Sequence, residues 1–186
     1  RWSPDSKKLA FSDKTFTVWC CDVASGRLTK VDKSDVWEIH DYVWSPDSKY
    51  LLFGDKYMKL NLVDVATGQL SVIDQGEYDD GWERWGIQDY VWSPDSQKIA
   101  YSDHSLTLYW IDLKTGTTKK IASEYMLGPG SDLHHVWSPD SKWIAYTLNT
   151  PNYFQTVHVY SLEQAKSFAI TDGLSEVTDP VFDRSG

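Results

Sequence analysis

The string Trp44-Ser-Pro-Asp-Ser48 stands also at Trp2–Ser6, Trp92–Ser96 and Trp137–Ser141, at successive intervals of 42, 48 and 45 residues. Four copies of one five-residue string in 186 residues rule out chance and make the chain an array of repeats. A degraded fifth copy follows: Asp179-Pro-Val-Phe-Asp-Arg-Ser-Gly186 aligns with Asp41-Tyr-Val-Trp-Ser-Pro-Asp-Ser48, with Phe182 in the place of Trp. A second marker keeps step with the first. Asp22-Val-Ala-Ser-Gly26, Asp64-Val-Ala-Thr-Gly68 and Asp112-Leu-Lys-Thr-Gly116 each place Gly 24 residues after the motif Trp. In the fourth unit Ser161-Leu-Glu-Gln-Ala165 falls at 28, and both Asp and Gly are lost. The four extra residues are expected within Asn149–Phe154.

Each unit reads as four strands. The first ends at the motif Trp. Ser-Pro-Asp-Ser is turn chemistry, since Pro presets φ and Asp hydrogen-bonds its own backbone. A short apolar strand follows, Leu9–Phe11, Leu51–Phe53, Ile99–Tyr101 and Ile144–Tyr146 in the four units. The third strand alternates, and its inward set is Phe16, Val18 and Cys20, then Met58, Leu60 and Leu62, then Leu106, Leu108 and Trp110, with Val157 and Val159 in the last unit. A period of two means strand rather than helix. The Asp-x-x-Thr-Gly turn leads into a fourth strand such as Arg27–Val31.

Four-stranded units of about 40–48 residues define β-propeller blades. One such sheet has two apolar faces and cannot bury both alone, so blades stack on their neighbours. The fold expected is therefore all-β: four antiparallel blades at about 1–38, 39–86, 87–131 and 132–175, and a terminal strand of a fifth at 176–186, in one propeller segment. Trp2, Trp44, Trp92, Trp137 and Phe182 recur once per blade at one height, which reads as packing between blades. The chain begins inside one repeat and stops inside another, as a segment of a larger protein would.

Composition agrees. Aromatic residues make up 15% of the chain, with ten Trp and eleven Tyr, which suits pleated, half-buried surfaces. A formal charge of −9 repels phosphate backbones and makes nucleic acid a poor partner. No run of about 18 apolar residues exists to span a membrane as a helix. The adjacent Cys20 and Cys21 point to opposite faces of a strand, a poor geometry for a disulfide, and the lack of a disulfide framework leans toward a cytoplasmic, reducing compartment.

The Trp-Ser-Pro-Asp-Ser repeat resembles that of TolB-like propellers. The longer strings Trp2–Lys14 and Asp172–Gly186 resemble the N-terminal propeller region of tricorn-type serine proteases, and the resemblance covers nearly the whole chain. In that family the nucleophile, histidine and oxyanion residues lie in a separate downstream domain, so none is carried over here. The residues themselves agree: there is no Gly-x-Ser-x-Gly elbow, Ser-x-x-Lys pair, His-Glu-x-x-His, Cys-x-x-Cys or phosphate loop. The resemblance implies a non-catalytic segment that binds or guides peptides, without a cofactor. The alternatives are a stand-alone TolB-like interaction scaffold and the propeller of a prolyl-oligopeptidase-type enzyme.

Two groups of residues carry candidate chemistry. The linker between the second and third units holds Glu77, Tyr78, Asp79, Asp80, Trp82, Glu83 and Trp85. Carboxylates beside aromatic rings suit a peptide amine or a basic side chain, by charge and cation–π contact. The competing role is packing, with both Trp side chains filling the gap between blades. The second group is Asp41, Asp89, His134 and Asp179, which share one position of the innermost strand and would ring a common channel. Asp and His are serviceable cation ligands. The local alternative is that each Asp accepts backbone hydrogen bonds within its own blade, and no metal is assigned. Of the other histidines, His104 reads as a solvated turn residue and His158 as packing or surface. Partners expected are peptides or proteins, with a homodimer by exchange of the terminal strand as one way to cover the first blade's edge.

Overall fold

The computed structural model describes residues 1–15, 17–33, 42–54, 59–75, 88–103, 106–124 and 133–184, and its regular structure among them is all strand. The chain divides into two compact units, Arg1–Ile87 and Gln88–Gly186. The first unit holds β1 (Lys8–Ser12), β2 (Thr17–Asp22) and β3 (Leu28–Lys33) in one sheet, and β4 (Tyr42–Trp44), β5 (Tyr50–Gly54), β6 (Lys59–Asp64) and β7 (Gln69–Gln75) in the next. The second unit holds β8 (Gln88–Trp92), β9 (Lys98–Ser102), β10 (Thr107–Asp112) and β11 (Thr117–Ser123), then β12 (His135–Trp137), β13 (Trp143–Asn149), β14 (Gln155–Ser161) and β15 (Lys166–Ala169). Every sheet is an antiparallel meander in chain order, which is the blade topology.

The repeated motif builds the same turn four times. The first Ser donates its hydroxyl to the motif Asp at 2.6 Å in each copy, Ser3 to Asp5, Ser45 to Asp47, Ser93 to Asp95 and Ser138 to Asp140. The same hydroxyl oxygen accepts the N–H of the residue that opens the next strand, at 2.9 Å in all four. These donors hold all four carboxyls below the usual range. At Asp5 and Asp140 the serine hydroxyl is the main cause. At Asp47 and Asp95 burial pulls the other way and is outweighed by the hydroxyl, lysine and backbone donors together. The motif's last residue, Ser6, Ser48, Ser96 or Ser141, takes a left-handed φ near +60° to close the turn.

Within each unit that turn also ties the two blades together. Asp5 N–H donates to Ser48 Oγ, and Asp95 N–H to Ser141 Oγ, both at 3.1 Å. The motif Trp does the same through its indole. Trp44 Nε1 donates to the carbonyl of Arg1 at 3.2 Å, and Trp137 Nε1 to that of Val91 at 3.1 Å. Arg1 and Val91 each sit one residue before the preceding blade's own Trp, so the register is identical in the two units.

The cores follow that register. In the first unit Trp44, Leu51, Phe53, Val63 and Val65 of the second blade bury against Ala10, Val18, Cys20 and Val31 of the first. In the second unit Trp137, Ile144, Tyr146 and Tyr160 bury against Ala100, Leu108 and Trp110. In each unit the Trp face of the later blade therefore packs on the Ala face of the earlier one. Two-sided packing corrects the inward set read from alternation. Val18, Cys20, Leu60, Leu108 and Trp110 are buried, but so are Asn61, Val63, Ile111 and Tyr160 on the opposite face. Leu62, Leu106, Val157 and Val159 are only half-buried, and Phe16 and Met58 lie outside the described residues. Leu106 precedes its strand, with a left-handed φ of 53°.

The first blade has three full strands and a two-residue stub of the fourth. The Arg1 ammonium donates to the Ala10 carbonyl at 2.6 Å, Ala10 N–H donates to the Arg1 carbonyl, and Trp2 pairs with Leu9. The Ala10 backbone groups expected to receive the chain's end are thus engaged by Arg1. The described part of 176–186 pairs with none of the fifteen strands, and Val181 is 85% exposed. Asp179 nevertheless takes the same left-handed φ, 53°, as Asp89 at 49°, as the fifth copy's alignment requires.

In the fourth blade the extra residues lengthen β13 and β14 to seven residues each, joined by a turn in which Thr150 N–H donates to the Phe154 carbonyl. Cys20 is buried and Cys21 half-buried on the other face, both as free thiols.

Gly26, Gly68 and Gly116 close the Asp-x-x-Thr-Gly turns at φ of 69°, 74° and 68°, and Ala165 does so at 48°. A Cβ in the left-handed region costs about 1 kcal/mol. Ala165→Gly should therefore raise stability by roughly 1 kcal/mol, and Gly116→Ala, whose Cβ would meet nothing within 4 Å, should lower it by about as much. Urea unfolding measures both. The motif Trp gives a second contrast. Trp44, Trp92 and Trp137 are 7%, 6% and 5% exposed, and Trp2 is 58% exposed. Trp137→Ala should cost about 3–5 kcal/mol and Trp2→Ala less than about 1, by the same measurement.

Candidate functional site

The innermost strands bring candidate residues to the start of each blade. On β8 the pairing slips between Gln88 and Val91, so Asp89 and Tyr90 together form a bulge. Asp tolerates the left-handed conformation that such a bulge demands of its first residue. Asp89, His134 and Asp179 are all exposed, and Asp41 lies outside the described residues. His134 uses its carbonyl to accept Thr147 N–H at 3.0 Å, and Asp179 accepts the Thr178 hydroxyl at 3.1 Å. Among the described residues no three His, Cys, Asp or Glu side chains converge to hold a metal ion. A shared alignment position does not by itself bring side chains together.

The structure puts the chemistry one residue further on, at His135. Its position is Tyr42 and Tyr90 in the preceding blades. Its Nδ1 lies 3.1 Å from the Leu133 carbonyl, which assigns the proton of the neutral ring to Nδ1. The other nitrogen, Nε2, is buried with no hydrogen-bond partner among the described residues. Burial is the main effect on this imidazole and pulls its pKa below 6.5, while the Leu133 carbonyl, the nearby Asp89 carboxylate and the backbone of Ala100 push weakly the other way. His158 is packing, stacked on Tyr146 at 5.4 Å with its Nε2 3.1 Å from Thr156 Oγ1, and its pKa is also lowered by burial. His40 and His104 lie outside the described residues.

Two further features escaped the sequence. Glu124 is buried at the end of the third blade, where its Oε2 accepts Asn149 N–H at 2.8 Å and Asn149 Nδ2 at 3.1 Å from the fourth. Nothing in a lone Glu after a strand signals such a latch. In the first unit a groove of about 230 Å³ is lined by Lys8, Arg27, Asp22, Ser25 and Thr29, with Cys20, Val65 and Ala66 among its other walls. Asp22 is held below the usual carboxylate range by the Ser25 hydroxyl, so it stays charged there. Burial pushes the Cys20 thiol up, which leaves it unreactive. The groove's residues come from the three strands of the first blade and from the Asp22–Gly26 and Asp64–Gly68 turns. The acidic-aromatic segment, Glu77, Tyr78, Asp79, Asp80, Trp82, Glu83 and Trp85, lies outside the described residues.

Meander sheets in sequence, joined Trp face to Ala face, are the blades of a β-propeller. The fold matches that of the crystal structure of the tricorn protease with a TM-score of 0.70 and 21% identity, over 96% of this chain and 17% of that one. TolB from Acinetobacter baumannii matches at 0.58 and 19% identity, over 92% of this chain and 43% of that one. Dipeptidyl peptidase 4 from Porphyromonas gingivalis matches at 0.68 and 11% identity, over 94% of this chain and 32% of that one. The chain spans less than half the length of each. No protein-family model matches it, and no curated protein matches it in sequence. The fold is a TolB-like, tricorn-like propeller fold.

His135 generates a pH prediction. Its folded-state pKa is below its unfolded value of about 6.5, so its contribution to stability is intact above that pH and is lost as pH falls below it. His158 acts in the same direction, whereas the motif carboxylates titrate only below 3.8. Replacing His135 with the repeat's own residue, His135→Tyr, should flatten the fall in stability between about pH 7 and pH 5, read by urea midpoints. An unchanged slope would show that the ring titrates freely.

Proposed function

We propose that the chain is a non-catalytic propeller segment of a tricorn-like protease, which binds or guides peptides for chemistry carried out elsewhere. The observation that supports this reading most is the match to the tricorn protease across 96% of the chain at a TM-score of 0.70. The sequence adds the acidic-aromatic segment Glu77–Trp85 and a charge of −9, both suited to basic peptides. It adds no nucleophile–base pair. A second reading, the propeller of a prolyl-oligopeptidase-type enzyme, is favoured by the likeness to dipeptidyl peptidase 4 at 0.68. A stand-alone TolB-like scaffold is the third, favoured by the match to TolB. In all three the loops at the blade ends do the binding, because they are free to vary while the blades are held in register.

Titration with a Lys/Arg-rich peptide, followed by Trp fluorescence and amide shifts, tests the peptide reading. Binding should be weak, with a Kd of about 0.1–1 mM, and should loosen further as salt screens the carboxylates. The peptide should be recovered uncleaved. The double variant Glu83→Ala/Trp85→Ala should lose the response. Equal binding by that variant removes the segment from the account, and peptide turnover that survives repurification removes the non-catalytic assignment.

A further inference from the structure

Strand register sets Lys8, Asp22 and Arg27 side by side in one row of the first blade: Lys8 pairs with Asp22, and Asp22 N–H donates to the Arg27 carbonyl at 2.9 Å. The next row is Ala10, Cys20 and Thr29. Ala10 and Cys20 bury against the second blade, whose Val65 and Ala66 form the far wall of the groove of about 230 Å³. Both walls belong to consecutive blades of one unit, so the groove is complete within residues 8–66. Cys20 and Val65 are buried at its floor, and Arg27 and Ala66 are exposed at its mouth. The other copies explain the hollow. The same row reads Tyr50, Asp64 and Gln69 in the second blade, Lys98, Asp112 and Thr117 in the third, and Trp143, Ser161 and Lys166 in the fourth, so cations stand at both ends only in the first. In the second unit Trp110 takes the place of Cys20 and is buried, with Lys119 Nζ 5.8 Å from the centre of its ring. Lys98, the counterpart of Lys8, is there ion-paired to Asp95 at 2.6 Å. In the first unit a thiol stands where that indole stands. Neither the Lys8 ammonium nor the Arg27 guanidinium makes an ion pair or hydrogen bond among the described residues.

We propose that this groove binds a single carboxylate side chain, Glu or Asp, of a peptide, between Lys8 and Arg27. The planar Arg27 fork matches a carboxylate, Lys8 adds a point charge, and Thr29 carries a hydroxyl on the same wall. Charge selects the ligand. The Asp22 carboxylate accepts the Ser25 hydroxyl at 2.6 Å and the Ser25 N–H at 2.9 Å and stays ionised. Two cations against that one anion leave one net positive charge, which a monoanion neutralises. A phosphate dianion would leave an excess of negative charge beside Asp22. Size agrees: the volume is below the roughly 300–1,000 Å³ of sites that enclose whole small molecules, and it suits one side chain. The chain as a whole carries −9 and repels an acidic run, so the carboxylate that fits is flanked by uncharged or basic residues. The site is opposite in charge to the Glu77–Trp85 segment and does not rest on the protease reading.

Amide NMR titration of the full chain with the blocked peptide N-acetyl-Gly-Gly-Glu-Gly-Gly-amide decides this. The Thr29 and Ala66 amides should shift to saturation, with an affinity that falls as salt is added. The same peptide with Gln for Glu should leave them unmoved, and acetate and inorganic phosphate should each bind severalfold more weakly than the Glu peptide. Arg27→Gln, a change at an exposed side chain, should weaken the Glu peptide by about fivefold, as the loss of a well-formed exposed ion pair does. Cys20→Trp, which installs the third blade's residue, should abolish binding, and Lys8→Met carries the same test if that variant does not fold. Asp22→Asn should tighten phosphate binding severalfold, because the opposing charge is gone. The proposal is overturned if the Glu peptide does not bind, if the Gln peptide binds equally, if Arg27→Gln binds as wild type does, or if acetate or phosphate matches the Glu peptide.

Discussion

The indole N–H groups of Trp44 and Trp137, each bonded to a backbone carbonyl of the preceding blade in its own unit, are the contacts on which each unit depends. A four-stranded sheet with apolar residues on both faces cannot be stable alone in water. It needs a neighbour on each side, and it needs the neighbour in register. Trp44 and Trp137 meet both needs: their rings sit in the two cores, and their Nε1 atoms fix the height at which one blade meets the next. The serine at the motif's end repeats the device at the backbone level.

Much of this was legible because the motif repeats. The spacing of Trp-Ser-Pro-Asp-Ser gave the blade count, and Pro and Asp gave the turn. The four-residue surplus of the last unit was legible as a longer hairpin, and the lost Gly marked where Ala165 carries strain. What failed was the assignment of faces. Alternation names one inward face per strand, but Asn61 and Val63 are buried as well as Leu60 on the other face of β6, and on β14 the buried Tyr160 lies opposite the half-buried Val157 and Val159.

The candidate sites were less legible still. Alignment put Asp89, His134 and Asp179 at one position, yet the described residues form no metal-holding group there. The local bend that gives Asp89 its left-handed φ is invisible in a sequence comparison of side-chain types. His135 was passed over because two of its counterparts are Tyr, which suggests packing; it is indeed packed, and that is why it titrates below its ordinary value. Glu124 joins parts of the chain that no motif connects. A repeat announces what its copies share, and function resides in what they do not share.

Hydrogen exchange of the ten indole protons, followed by two-dimensional NMR, tests the central claim most directly. The indole protons of Trp44 and Trp137 should exchange only with opening of their blade pair, with protection approaching that of the strand amides of Leu52 and Ala145. The Trp2 indole, on a side chain that is 58% exposed, should exchange within the dead time. Fast exchange at Trp44 and Trp137, while the surrounding strand amides remain protected, would contradict the account, because the blades would then be held in register by something other than these bonds.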